Sequence, residues 1–321
     1  YRSYSLLWLL AFADAYENTT GKTDHGLLAG EFFANSPNYV QTLLGGDGIW
    51  VPINDSQPQR YGAADSAFLG ARYDNATLRW FSDNAMAGLE TDDEDRLRNE
   101  VGPPYTIYAF LWRDEKPVHK AKLPTLSRLP SLNIGCLRSE GVARSAWMVA
   151  ARGHGPVEVG HEQRDTASFV LYAGGESFLL DPGYYHGMAE DHSLPTVDGV
   201  TPQSKYESPL TGEEQNEMRS LTLDATPDYR PYRGQPPERV RRNCVMAGSE
   251  AVIVLDDIVV AEGALGNVVT RWQSAVKPEV ASDGRSARLA GNPGDVWMQT
   301  FGPTLLIKAK GPREFGKGWV Y

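Results

Sequence analysis

A change of texture along the chain constrains its fold more than any single motif. In the first hundred residues apolar side chains recur at helical spacing. Tyr4, Leu7, Trp8, Leu10, Phe12 and Tyr16 fall near one face, and Thr20-Gly21 would close that helix. Further helices are expected over His25 to Phe33, Ala63 to Ala71 and Ala76 to Phe81, with a short apolar stretch at Tyr39 to Leu44. Glu90 to Glu100 reads as a solvated acidic face, and Tyr105 to Trp112 as a helix or a first strand. Lys116 to Pro130, rich in proline and basic residues, reads as a linker or an edge crossing. From Asn133 onward the segments are short, β-branched and split by Gly, Pro, Asn or Asp. Ile134 to Arg138, Phe169 to Ala173, Ser220 to Ala225, Val240 to Met246, Ala251 to Val260, Val296 to Phe301 and Thr304 to Ala309 are examples. Helices first and strands afterwards exclude an alternating βαβ arrangement. The expectation is an α+β chain with a helical domain over residues 1–115 and a large antiparallel β-sandwich over residues 116–321.

The densest chemistry lies between Gly160 and Gly199. His161, Gln163 and Asp165 stand at alternate positions, and an extended segment would point them to one face. Two apolar strands follow, joined at Gly174-Gly175, a dipeptide that accepts positive φ at both positions of a tight turn. The hairpin would return Asp181 towards the start of its first strand. Imidazole, amide oxygen and carboxylate would then converge at one end of a sheet, and His192 follows in the same stretch.

Charge narrows the function. A net charge of −10 on 321 residues argues against a nucleic-acid protein, because a phosphate backbone calls for a basic surface. Cys136 and Cys244 form neither a disulfide framework nor a metal-type pair, and both read as small buried side chains. No stretch is long enough to span a membrane, and Leu6 to Ala13 reads as helix rather than signal peptide. The chain opens at Tyr1 as if mid-helix, so its beginning is expected upstream. Gly45 to Gly48 lacks the Lys-Ser/Thr of a phosphate loop, and no Gly-x-Ser-x-Gly supports serine hydrolysis.

The order of residues in the central stretch resembles the heparinase II/III-like polysaccharide lyases. The resemblance rests on His161, Asp165, Ser168, Phe169, Leu171, Tyr172, Ala173, Gly175, Leu179, Leu180, Asp181, Pro182, Gly183, His192, Val197, Asp198 and Gly199. Gln163 stands where many members carry a second His, and Ser193-Leu194-Pro195 replaces the usual residues after His192. Ile253 to Asp257 and Arg271-Trp272-Gln273 look like later strands of that family. Tyr1 to Tyr4 resembles the opening of a late helix in its α/α toroid. The resemblance implies the end of a toroid followed by a β-sandwich, with an earlier part of the toroid carrying further catalytic residues. It also implies cleavage of a uronate-containing polysaccharide by β-elimination. His161 would be one catalytic residue and Tyr1, or else Tyr4, the base. Gln163, Asp181 and His192 would form a structural zinc site.

Elimination requires that the sugar carboxylate be neutralised, that a base remove the C5 proton, and that an acid protonate the departing O4. His and Tyr suit the last two roles. Tyr is a base only where positive charge lowers its pKa from near 10. Arg152 and Arg164, with Arg144 nearby, could grip the carboxylate through their forks. His186 could contact sugar, Trp50 could stack on a pyranose ring, and the other histidines show no partner pattern. Arg239, Arg241 and Arg242 read as an exposed strand face. The expected partner is an anionic polysaccharide, and such a polymer implies a periplasmic or secreted protein. Two other readings stay open. One is a non-catalytic carbohydrate-binding β-sandwich. The other is a glycoside hydrolase using two of Asp55, Asp65 and Glu162, whose spacing does not favour it.

Overall fold

The computed structural model describes residues 2–22, 26–45, 50–54, 63–87, 103–114, 116, 122–141, 147–156, 162–184, 186–230, 235–249, 251–292, 294–301, 313–315 and 318–320. Tyr1, Arg144, His161 and the expected strand at Thr304 to Ala309 lie outside these residues, as does the acidic stretch at Glu90 to Glu100. The chain divides into two compact units. The first is helical. It holds α1 (Arg2–Thr20), α2 (Glu31–Ala34), α3 (Ser36–Leu43), α4 (Ala63–Arg72), α5 (Ala76–Ala87) and α6 (Pro103–Leu111). α1 ends as the sequence predicts, at Thr20 with Gly21 at φ 64. The single helix expected over His25 to Phe33 is instead a 3₁₀ turn, Leu27–Ala29, and then α2. Gly26 at φ 81 and extended Gly30 bound that turn. Tyr105 to Trp112 resolves as helix, because Pro103 and Pro104 fit a first turn where their missing N–H groups cost nothing.

The second unit is antiparallel β throughout its named sheets. Its first sheet has the order β1-β2-β3-β4-β5, with β1 Leu126–Leu129, β2 Ile134–Arg138, β3 Trp147–Arg152, β4 Phe169–Ala173 and β5 Glu176–Leu179. β1, at the sheet edge, forms inside the stretch read as a linker or an edge crossing, pairing Leu126 with Leu137 and Arg128 with Gly135. Gly174 at φ 57 and Gly175 at φ 89 make the expected hairpin between β4 and β5. β6 (Pro195–Val197) pairs elsewhere, with β11 (Val268–Thr270). The second large sheet has the order β10-β9-β8-β7, with β7 Leu210–Gln215, β8 Met218–Asp224, β9 Arg239–Ala247 and β10 Ala251–Val259. β12 (Glu279–Val280), β13 (Ser286–Leu289) and β14 (Val296–Gln299) form a smaller sheet, and β15 (Arg313–Phe315) pairs with β16 (Gly318–Val320).

One apolar core joins the two large sheets. Leu137, Val149, Phe169 and Leu171 from the first meet Leu210, Leu221, Leu223, Val240, Cys244 and Met246 from the second. Each fully buried side chain of this size contributes roughly 1.5–3 kcal/mol. The sheets approach closely at Gly135, where an added Cβ would come 2.6 Å from a Leu221 methyl and 2.8 Å from a Leu210 methyl. Cys136 and Cys244 are buried free thiols, as expected.

β9 corrects one expectation. Its alternation buries Val240, Arg242, Cys244 and Met246 and turns Arg239 and Arg241 outward. Only those two arginines lie on the outer face, paired with Asp257 and Asp224. Arg242 is 1% exposed and points into the core.

Trp50 is a second correction. It is 8% exposed in the helical unit, its ring 5.5 Å from Tyr39 and 4.7 Å from Phe81 between centroids. That ring is spent on packing rather than offered to a sugar.

A buried polar centre in the β unit

The segment after His161 is not a strand, so no ladder sets its direction. Its burial nevertheless alternates. Gln163 and Asp165 point inward at 2% and 0% exposure, while Glu162 and Arg164 are only partly covered. Hydrogen bonds to distant residues replace the ladder. Arg152, the last residue of β3, reaches Asp165 Oδ1 through Nε at 2.6 Å and also bonds Glu162 through Nη2. A buried cation against two carboxylates is held only because all three are paired. Burial alone would lower the Arg152 pKa, but Asp165 and Glu162 outweigh it and hold the guanidinium charged. Burial holds the Asp165 carboxyl above its usual range, and Arg152 offsets only part of that. Arg152 is therefore a structural arginine and not the free fork expected to bind a sugar carboxylate. His154, also buried, sets Nδ1 2.8 Å from the Gly155 carbonyl and Nε2 3.9 Å from Glu162.

Asn54 completes this cluster. Residues 51–54 belong to the β unit although they lie between helices of the other. The Asn54 backbone N–H donates to Asp165 Oδ2 at 3.1 Å and its side-chain amide to Glu162 at 3.0 Å. Its Oδ1 accepts the Gln163 N–H at 3.0 Å.

The turn after β5 carries the other half. Asp181 Oδ2 lies 2.8 Å from His192 Nδ1, and its Oδ1 accepts the Gly183 N–H at 3.0 Å. The Gln163 amide donates to the Gly183 carbonyl at 2.9 Å, a position Gly183 reaches at φ 75. Gln163 and Asp181 thus both bond Gly183, and His192 bonds Asp181. Arg164 and His186 keep partly exposed side chains beside them.

Arg242 braces both halves. Its Nη1 donates to the carbonyls of Ala167 and Ser193, each at 2.6 Å, and its fork holds Asp256 at 2.7 and 2.8 Å. Ala167 follows Asp165 by two residues and Ser193 follows His192 directly. Neither Asn54 nor Arg242 was picked out from the sequence. For Arg242 a signal existed, since Val240, Cys244 and Met246 set the inward row to which it belongs. For Asn54 there was none.

Burial alone would lower the His192 pKa. The Asp181 carboxylate outweighs that, with help from Asp165 and Asp191, and pushes it from 6.5 up to about 9. A raised histidine pKa adds stability that is complete below about 6.5 and is lost as pH rises through about 9. The urea midpoint of the protein is therefore expected to fall between pH 7 and pH 9.5, and His192→Asn to flatten that fall. A midpoint in the unsubstituted protein that holds level across this range contradicts the pairing.

No protein-family model and no curated protein sequence matches the chain. Solved structures do. The heparan sulfate lyase HepC from Pedobacter heparinus matches at 15% identity and a TM-score of 0.60, over 83% of this chain and 38% of that one. A heparinase III gene product matches at 14% and 0.61, over 85% of this chain and 39% of its own. A further heparinase III structure matches at 13% and 0.54, over 84% and 41%. The chain thus spans about two-fifths of the length of the structures it matches. Over more than four-fifths of its residues, it shares the fold of the corresponding part of heparan sulfate lyase and heparinase III structures.

Proposed function

We propose that this chain is part of a polysaccharide lyase that cleaves a uronate-containing glycan, a glycosaminoglycan of the heparan sulfate class, by β-elimination. The observation that carries the reading is the fold shared with heparan sulfate lyases over 83% of the chain. In this reading a tyrosine, Tyr1 with Tyr4 as the alternative, removes the C5 proton. The electron pair forms the C4–C5 double bond, the C4–O4 bond breaks, and His161 protonates O4. Tyr4 lies in α1, while Tyr1 and His161 lie outside the described residues. Arg164 and His186, partly exposed beside the buried centre, take the role of substrate contacts in place of Arg152 and Trp50. A polymeric substrate of this kind places the protein in the periplasm or the medium. The direct test is ultraviolet absorbance by unsaturated uronate when the full-length protein meets heparan sulfate.

No step of this reading runs through a metal, because the residues expected to hold zinc do not fit it. Zinc takes three or four His, Cys or carboxylate ligands. Here the third position, Gln163, is an amide rather than a His, Cys or carboxylate, and it directs its N–H to the Gly183 carbonyl. Among the described residues no group of three or more His, Cys, Asp or Glu could hold a metal ion. The cluster is read instead as a hydrogen-bonded pin for the turn after β5. Elemental analysis of the purified protein is expected to give far less than one zinc per chain, and Gln163→His to raise it. One zinc per unsubstituted chain contradicts the pin.

A further inference from the structure

Ser204 stands at φ 54, and the N–H groups of Ser204, Lys205 and Tyr206 all donate to the side chain of Asp228, at 2.9, 3.0 and 3.2 Å. Three successive amides turned on one anion make a concave nest, and the chain's own buried carboxylate fills this one. The Ser204 hydroxyl donates to the Gln163 carbonyl, which ties the loop to the buried polar centre. With the backbone curled round Asp228, the side chains of Lys205 and Tyr206 are left exposed, Tyr206 at 41%.

Arg230 lies against the same tyrosine. Its guanidinium carbon is 4.4 Å from the centre of the Tyr206 ring, within cation–π range, and its Nε donates to the Pro227 carbonyl at 2.8 Å. These two contacts hold an exposed arginine in place and leave both Nη groups without a partner among the described residues. Lys205 has no ion pair among them either, although Glu207 is exposed two residues on. Arg164 follows Gln163 directly, so a third cation without a carboxylate stands beside the same loop contact. Elsewhere in the β unit Arg219, Arg239, Arg241 and Arg288 each hold a carboxylate, as a net charge of −10 leads one to expect. A guanidinium ordered through its Nε and its ring face, with its fork unspent, is pre-organised for an external oxyanion.

We propose that Lys205, Tyr206 and Arg230 form a subsite for an acidic sugar, its carboxylate or sulfate held by the Arg230 fork and the Lys205 ammonium. The subsite deepens the lyase reading, and its effect on turnover rests on that reading, while its effect on binding does not.

The test uses the full-length protein. Binding of a heparan sulfate oligosaccharide is measured by titration calorimetry in a His161→Ala background, which keeps the glycan intact, and kcat and KM are measured without that substitution. Lys205→Ala with Arg230→Ala is expected to weaken binding by about 10- to 100-fold and to raise KM by a similar factor, with kcat within about threefold. That pattern marks a contact made equally in the ground state and the transition state. Lys22→Ala with Lys277→Ala removes the same charge from two exposed lysines outside this loop and is expected to change binding by no more than about twofold. Arg230→Lys keeps the charge without the fork and should still lose several-fold. Unchanged binding in the Lys205 and Arg230 pair overturns the proposal, as does an equal loss in the Lys22 and Lys277 pair. Desulfated heparan sulfate, which keeps its carboxylates, names the anion. A loss that persists on it assigns the fork to a carboxylate, and a loss confined to the sulfated chain assigns it to a sulfate. If the unsubstituted protein makes no unsaturated product, the lyase reading fails, and the calorimetry still decides whether this loop binds the glycan.

Discussion

Arg242→Ala should lower the stability of the β unit by about 3–5 kcal/mol, the usual cost of breaking a buried ion pair from one side. The side chain is 1% exposed and makes four hydrogen bonds, two to Asp256 and one each to the carbonyls of Ala167 and Ser193. Its removal leaves both carbonyls without that donor, takes the partner from Asp256, and opens a cavity under Phe169, whose ring lies 5.3 Å from the guanidinium. Against a total stability of about 5–15 kcal/mol such a loss is large. Arg241→Ala, two residues away on the outer face, is expected to cost no more than about 1 kcal/mol, because exposed pairs such as Arg241 with Asp224 are screened. Urea denaturation separates the two. A double variant, Arg242→Met with Asp256→Ala, should lose less than Arg242→Ala alone, since no unpaired charge is left behind. Equal losses at Arg241 and Arg242 would contradict the brace.

His161→Ala in the full-length protein should lower kcat by about 10²- to 10⁴-fold, the range a positioned acid or base contributes. The elimination breaks a C–O bond to a poor leaving group, so an unprotonated O4 leaves slowly even when the C5 proton has been removed. The loss should fall on kcat more than on KM, because the proton transfer is made in the transition state. Far-ultraviolet circular dichroism should match the unsubstituted protein. A folded His161→Ala protein with full turnover would remove His161 from the reaction while leaving the lyase reading to stand on its product.

Local signals carried a large part of the fold. The Gly174-Gly175 turn needs no tertiary context, because both residues must take positive φ and glycine does so at little cost. α1 and its end at Gly21 follow from spacing and one left-handed residue. β7 was missed because Leu-Thr-Gly-Glu-Glu-Gln is an edge strand whose side chains, Leu210 apart, stay at least partly exposed. It never needed the apolar alternation by which strands are recognised. β1 was hidden among prolines for a similar reason, at the edge of its own sheet.

The buried centre divides along the same line. The hairpin made the return of Asp181 towards Gln163 legible, while His192 was grouped with them by the resemblance alone. Asn54 reaches Gln163 from a different part of the chain, and nothing in the sequence at residues 51–54 marks them as part of the β unit. Arg152 was visible as a basic residue beside the site. Its role changed because residue type does not tell a buried, twice-paired guanidinium from an exposed one.

The central claim is tested most directly by incubating the full-length protein with heparan sulfate and following ultraviolet absorbance from the C4–C5 double bond of the product. The lyase reading predicts a steady rise that His161→Ala abolishes or slows by at least about a hundredfold. No rise on heparan sulfate, alginate or any related uronate polymer would contradict it. New reducing ends without absorbance would point to hydrolysis instead.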